Sequence, residues 1–367
     1  MLFNSLEFII FLVLVFLVYW KLDRPKQNLF ILIASYIFYG WWDWRFLFLI
    51  FTSSTISFLF GRKIYGTDDV QRRKIYLTLN IFLSLGILGF FKYFNFFVSS
   101  LQELFVSVGA MPISVTTFSI ILPVGISFYT FKELSYAIDV YRRKIPAASN
   151  FTEFLAFVSF FPQLVAGPID RAQSFLVQFA QKRVFKTEEA IDGCRQILWG
   201  FFKKIFIADT LAIAVNNTYN NLYSVSGDQL LIATILFAFQ LYCDFSGYSD
   251  IAIGTAKLFG FRLMSNFNYP YFSRSISEFW RRWHISLSEW LRDYLYYPLV
   301  FCRKKKTKIW MYISTIITFS LIGLWHGAGW NYIAMGMVFG LYLIFGSMIK
   351  DITKSFKVYR RNFIDKN

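Results

Sequence analysis

The feature that most constrains this chain is a series of long apolar runs. Leu2–Trp20, Asn28–Trp44, Ile75–Phe97, Gln229–Asp250 and Asn331–Ile349 each approach or exceed the roughly 20 residues that cross a bilayer. Phe46–Phe60, Val115–Phe131, Gln196–Ile213 and Ile309–Trp325 are shorter or more interrupted. Lipid offers no water to backbone polar groups, so only helices or closed barrels span it, and none of the runs alternates with the period of two that a barrel strand needs. The expected fold class is an all-α polytopic membrane protein of about nine to eleven transmembrane or re-entrant helices. Residues 1–349 read as one membrane-embedded domain and 350–367 as a basic cytoplasmic tail. The composition agrees, with 56% hydrophobic, 22% aromatic and only 16% charged residues, where a soluble domain carries about 25% charged ones.

The net charge of +16 reports topology rather than nucleic-acid binding, because it sits between spans and not along one face. Segments 21–27, 61–74, 132–150, 171–195, 262–308 and 350–367 hold 33 of the 38 Lys and Arg, and the intervening 98–114, 214–228 and 326–331 hold none. Basic loops stay cytoplasmic. The alternation puts the N-terminus outside, the tail inside, and nine spans between. The start has no basic n-region and no small-residue cleavage site and carries Glu7, so it reads as a first span rather than a signal peptide. Cys194, Cys243 and Cys302 show no paired spacing, so neither a disulfide framework nor a zinc site is expected.

Function in such a chain is expected where the helical pattern breaks, since irregular backbone at membrane depth survives only when buried in protein or lining a cavity. Phe160–Pro168 is apolar, too short to cross and bracketed by prolines. It reads as a re-entrant segment, although an interfacial helix and turn fit the same pattern. In Asp244–Asp250 two carboxylates flank Gly247 and two serines. Acids inside a membrane are functional suspects, and equally they can bond to neighbouring helices and cap a broken turn. Leu324–Asn331 ends a span on a histidine, with Gly327 and Gly329 freeing the backbone and Asn331 placed to cap the next helix. Lys203 and Lys204 interrupt another run, which places them at the inner boundary or along a passage.

The chain has two histidines, His284 and His326, and imidazole is the usual carrier of a proton near neutral pH. Ser273–Leu299 around His284 has apolar residues three and four apart, the mark of an amphipathic helix. In that reading Arg281, Arg282 and Arg292 snorkel and His284 packs among tryptophans. His326 sits on the outward Gly-rich break, as a candidate base or as a histidine bonded to a backbone carbonyl. The topology sends the two toward opposite faces, and neither has an acidic or Cys partner at metal-ligand spacing.

Five blocks resemble the membrane-bound O-acyltransferase family: Leu122–Tyr129, Pro162–Pro168, Asp244–Asp250, Arg281–Ser288 and Leu324–Asn331. They run in order along nearly the whole chain. Arg292–Leu299 and His326–Trp330 look more like its alginate O-acetylation branch than its teichoic acid D-alanylation branch. Members of this branch continue for further spans, where this sequence runs into a basic tail. The resemblance implies a helical fold around a central acyl-transfer passage, with His326 as the essential histidine and His284 as a second, supporting position. It implies an acetyl-CoA or acyl-carrier thioester as donor, with no permanently bound cofactor, and a cell-surface glycan hydroxyl as acceptor. An extracytoplasmic esterase-like partner is implied as well. The donor-binding or supporting set is Arg281, Arg282, Trp283, Asn331, Asp244 and Asp250. D-alanyl transfer to teichoic acid and a non-catalytic transporter or scaffold are the competing readings.

Overall fold

The computed structural model describes residues 1–109, 120–165, 167–305 and 307–364, with side chains through residue 353. Every regular element among them is helical. In chain order they are α1 (Leu6–Tyr19), α2 (Arg24–Gly40), α3 (Arg45–Tyr65), α4 (Val70–Leu88) and α5 (Phe94–Ser107). Then come α6 (Ile126–Tyr141), α7 (Phe151–Ser159), α8 (Phe161–Leu164), α9 (Ala172–Ala180), α10 (Thr187–Phe201) and α11 (Thr210–Asn220). The chain continues through α12 (Gly227–Leu258), α13 (Ile276–Arg282), α14 (Ile285–Leu291), α15 (Tyr297–Phe301), α16 (Lys308–His326) and α17 (Trp330–Ile364). Single π-helical segments join α4 to α5 (Gly89–Tyr93), α10 to α11 (Phe202–Asp209) and α14 to α15 (Arg292–Tyr296).

Five described segments are long and apolar enough to cross a membrane: Arg45–Tyr65, Val70–Ser107, Gly227–Leu258, Lys308–His326 and Trp330–Thr353. This is fewer than the runs alone indicate. The first run keeps 14 helical residues, because Ser5 caps the helix by accepting from the Phe8 N–H. The second keeps 17 and begins on Arg24. The run at Gln196–Ile213 is divided by its charged π-segment. The expected span Val115–Phe131 falls partly on 110–119, outside the described residues.

The chain divides into two compact units. The first comprises residues 1–88 and 123–266. Its core is aromatic: Phe160 packs on Phe175, Phe179 and Phe261 at centroid separations of 5.1, 6.0 and 4.8 Å. The expected re-entrant stretch is a single turn, α8, buried in this core; Ala166 lies outside the described residues. Gln163 ties the turn down. Its amide donates to the Pro168 carbonyl (3.1 Å) and to Asp170 (2.7 Å), and its Oε1 accepts from the buried Lys132 Nζ (2.7 Å). Gly125, at the start of α6, has φ +75°, and a Cβ there would lie 2.2 Å from the Leu164 carbonyl oxygen. Only glycine fits that turn.

The second unit comprises residues 89–122 and 267–367. Its frame is the α16–α17 hairpin. A Cβ on Gly323 would stand 2.0 Å from the Tyr332 carbonyl oxygen, and one on Gly336 would stand 2.1 Å from that of Phe319. The two backbones therefore touch, the close approach that small residues allow between membrane helices.

Candidate active site

His326 is the last residue of α16, and α17 starts only four residues later. The Gly327 N–H closes α16 on the Gly323 carbonyl (3.2 Å), and the Gly329 N–H reaches the Gly327 carbonyl (3.0 Å). The imidazole stands edge-on to Trp325, centroids 4.9 Å apart at 77°, and the residue is exposed. Asn331 is the second residue of α17 and exposed. The expectation that it caps the helix from in front is corrected: α17 already begins at Trp330, so Asn331 lies inside its first turn.

The amphipathic helix expected over Ser273–Leu299 is also corrected. It is broken into α13, α14 and a π-segment, with the break at Trp283–His284. His284 has φ +42°, in the left-handed region, and is 1% exposed. That conformation stops α13, because an L-residue cannot continue a right-handed helix from it, and it turns the imidazole inward. Burial first, then the nearby His326 imidazole, hold His284 well below the ordinary imidazole range. It is neutral at physiological pH.

Trp325 connects the two histidines. Its ring lies 5.8 Å from that of His284 as well as 4.9 Å from that of His326. Loop charges send the two toward opposite faces, but the structure separates them by a single indole. The inward bend at His284 accounts for the difference.

The other expected residues separate. Arg281 is exposed and lines a cavity of about 540 Å³ with Trp280, Glu289, Arg292, Tyr312 and Ile322. Ile285 lines it too, so the cavity adjoins the residue after His284 and the helical turn before His326. Arg282 is held by Glu278 (2.7 Å). Trp283 stacks on Phe279 (5.5 Å, 16°) and meets Phe267 edge-on (5.1 Å), so both support the bend. Asp244 and Asp250 belong to the first unit. They do not sit in a break, since α12 is continuous for 32 residues through them. Lys204 pairs with Asp244 (2.6 Å) and Asp209 (2.7 Å), and Lys203 pairs with Asp250 and donates to Ser246 (3.0 Å). The two lysines thus answer the two acids, and with the carboxylates satisfied nothing forces the helix open.

One residue at the site escapes reading by blocks. Lys92, in the π-segment before α5, donates to the Trp325 carbonyl. The signal is present in the sequence, as a lone cation inside the apolar run Ile75–Phe97, which is costly at membrane depth.

Comparison with known proteins adds to this geometry. The profile of the membrane-bound O-acyltransferase family matches residues 142–364. The chain is 44% identical over 346 residues to the probable alginate O-acetylase of Pseudomonas aeruginosa, covering 94% of this chain and 65% of that protein. It is 33% identical over 388 residues to the peptidoglycan O-acetyltransferase of Helicobacter pylori, covering 97% and 72%. It is 32% identical over 248 residues to the teichoic acid D-alanyltransferase of Bacillus subtilis, covering 64% and 61%. The chain thus spans about two thirds of the length of these relatives.

Proposed function

We propose that this chain, which belongs to the membrane-bound O-acyltransferase family, moves an acyl group from a cytoplasmic thioester to a hydroxyl of a glycan outside the membrane. An acetyl group is the first choice, because two of the three relatives above are named for O-acetylation. The observation that carries the reading is the pairing of His326 and His284 around Trp325, with one imidazole exposed and the other buried.

In this reaction His326 removes the proton of the acceptor hydroxyl as its oxygen attacks the thioester carbonyl. The tetrahedral intermediate collapses with cleavage of the C–S bond, and the departing thiolate takes the proton back from His326. Ester and free thiol are the products, and protons balance. His284, neutral and buried, donates or accepts a hydrogen bond without carrying charge, which suits orientation of the donor. The cavity lined by Arg281 and Arg292 is the proposed donor approach. Its guanidiniums suit the phosphates of CoA or an acidic carrier protein, and its apolar lining suits the thioester arm. The inner membrane is the proposed location, N-terminus outside and tail inside, with an extracytoplasmic esterase-like protein as the proposed partner where the glycan is distant.

The test is turnover of radiolabelled acetyl-CoA by the protein in nanodiscs, with and without added alginate oligosaccharide. Wild type is expected to lose thioester and label the glycan. His326→Ala is expected to lower the rate about 10²–10⁴-fold, the usual contribution of a general base. Near-normal transfer by His326→Ala would end the assignment.

A further inference from the structure

We propose that Lys92 is a positioning residue for His326, acting through the peptide unit that joins Trp325 to it; the inference rests on His326 being the base. Lys92 is the fourth residue of the π-segment Gly89–Tyr93, inside the 38-residue apolar helix Val70–Ser107. Its Nζ donates to the Trp325 carbonyl and lies 5.3 Å from the centroid of the Trp325 ring. The Trp325 carbonyl and the His326 N–H are two ends of one planar peptide. Holding that carbonyl holds the plane from which the imidazole projects.

The turn needs such a hold. The last four carbonyls of a helix have no N–H waiting in a following turn, and here α16 stops at a stretch containing Gly327 and Gly329, which stiffen the backbone least. The C-terminal end of a helix also favours a cation. Beyond the turn, Trp330 donates from its indole to Ser100 Oγ (3.1 Å) and packs on Phe96 at 5.5 Å. Lys92, Phe96 and Ser100 are four residues apart, so they share a face of the helix. That face grips the chain at Trp325 and again at Trp330, with the His326–Gly329 turn between. Lys92 itself lies in a π-segment, a kind of bulge frequent at functional sites.

Lys92→Met, Lys92→Arg and His326→Ala are compared with wild type in nanodiscs by two readouts. The first is acetyl-CoA turnover. Lys92→Met is expected to lower kcat about 10–100-fold, the cost of a misplacement near 1 Å, with KM changed less than about twofold and most of kcat restored in Lys92→Arg. The second needs neither donor nor acceptor: the rate at which diethyl pyrocarbonate labels His326, read by mass spectrometry. Labelling is expected to change several-fold in Lys92→Met and to match wild type in Lys92→Arg. Wild-type kcat and labelling in Lys92→Met, beside an inactive His326→Ala, overturn the tether and leave the base assignment standing. Equal losses in both Lys92 variants, with lowered thermal stability in both, make Lys92 structural only and also overturn it. Wild-type turnover by His326→Ala removes the base assignment, and with it the catalytic meaning of the tether.

Discussion

At the scale of single residues, His284 holds an unusual backbone and an unusual protonation state together. Histidine, asparagine and aspartate enter the left-handed region more readily than other non-glycine residues, and a β-branched residue scarcely does. His284→Asn is therefore expected to keep the fold in a thermal melt, while His284→Val loses about 2 kcal/mol or more. The neutral imidazole has a pH consequence as well. Its folded-state pKa lies below the unfolded one, so below about pH 6.5 the unfolded chain takes up a proton that the folded chain refuses. This contribution to stability is complete above that pH and is lost as pH falls. The decline in melting temperature from pH 7 to pH 5 is expected to be shallower in His284→Asn than in wild type. An equal decline in both would show that His284 is not held neutral.

At the scale of elements, two helix pairs differ in what joins them. α16 and α17 meet backbone to backbone at Gly323 and Gly336, and no side chain can move aside for a new methyl group there. Gly336→Ala is expected to cost about 3 kcal/mol through overpacking and to reduce transfer with it, because the same hairpin ends on His326. A differential scan together with an activity assay checks both. The π-segment after α10 and the helix α12 are joined instead by charge, through Lys203–Asp250 and Lys204–Asp244. Lys203 is buried and Asp250 half-buried. Removing one member of a fully buried pair strands the other, at about 3–5 kcal/mol, and less where one partner meets solvent, whereas removing both is often tolerated. Asp250→Asn is expected to destabilise in urea or heat, and Lys203→Met with Asp250→Leu to recover most of the loss. If the double variant is as unstable as the single one, the pair has a role beyond its own neutralisation.

At the scale of the whole molecule, the cysteines offer a test of orientation. Cys194 and Cys302 are exposed and Cys243 is buried; the first two lie in basic segments, which the proposed topology puts on the cytoplasmic side. A membrane-impermeant maleimide is expected to label Cys194 and Cys302 in inverted vesicles and neither of them in intact cells, with Cys243 unlabelled in both. Labelling of Cys302 from outside would invert the proposed topology and put the Arg281 cavity on the wrong side for a cytoplasmic thioester.

The sequence by itself determined the class of the molecule and the identity of its two histidines. Apolar length and loop charge are additive along the chain, and His284 and His326 are the whole supply of imidazole, so no folding is needed to read them. Tertiary structure decided how these residues combine. The period of three and four around His284 reads as one helix, because a single left-handed residue leaves no mark in apolar spacing; only its backbone angle in the fold shows that the chain bends there. Asp244 and Asp250 look like a break until Lys203 and Lys204, some 40 residues earlier in sequence, are seen beside them. Trp325 is a flanking aromatic in the sequence and the contact between both imidazoles in the fold. Lys92 reaches the site across 233 residues of chain. Periodicity and charge counts register neighbours along the chain, whereas a reacting geometry is made of neighbours in space, and packing alone brings those together.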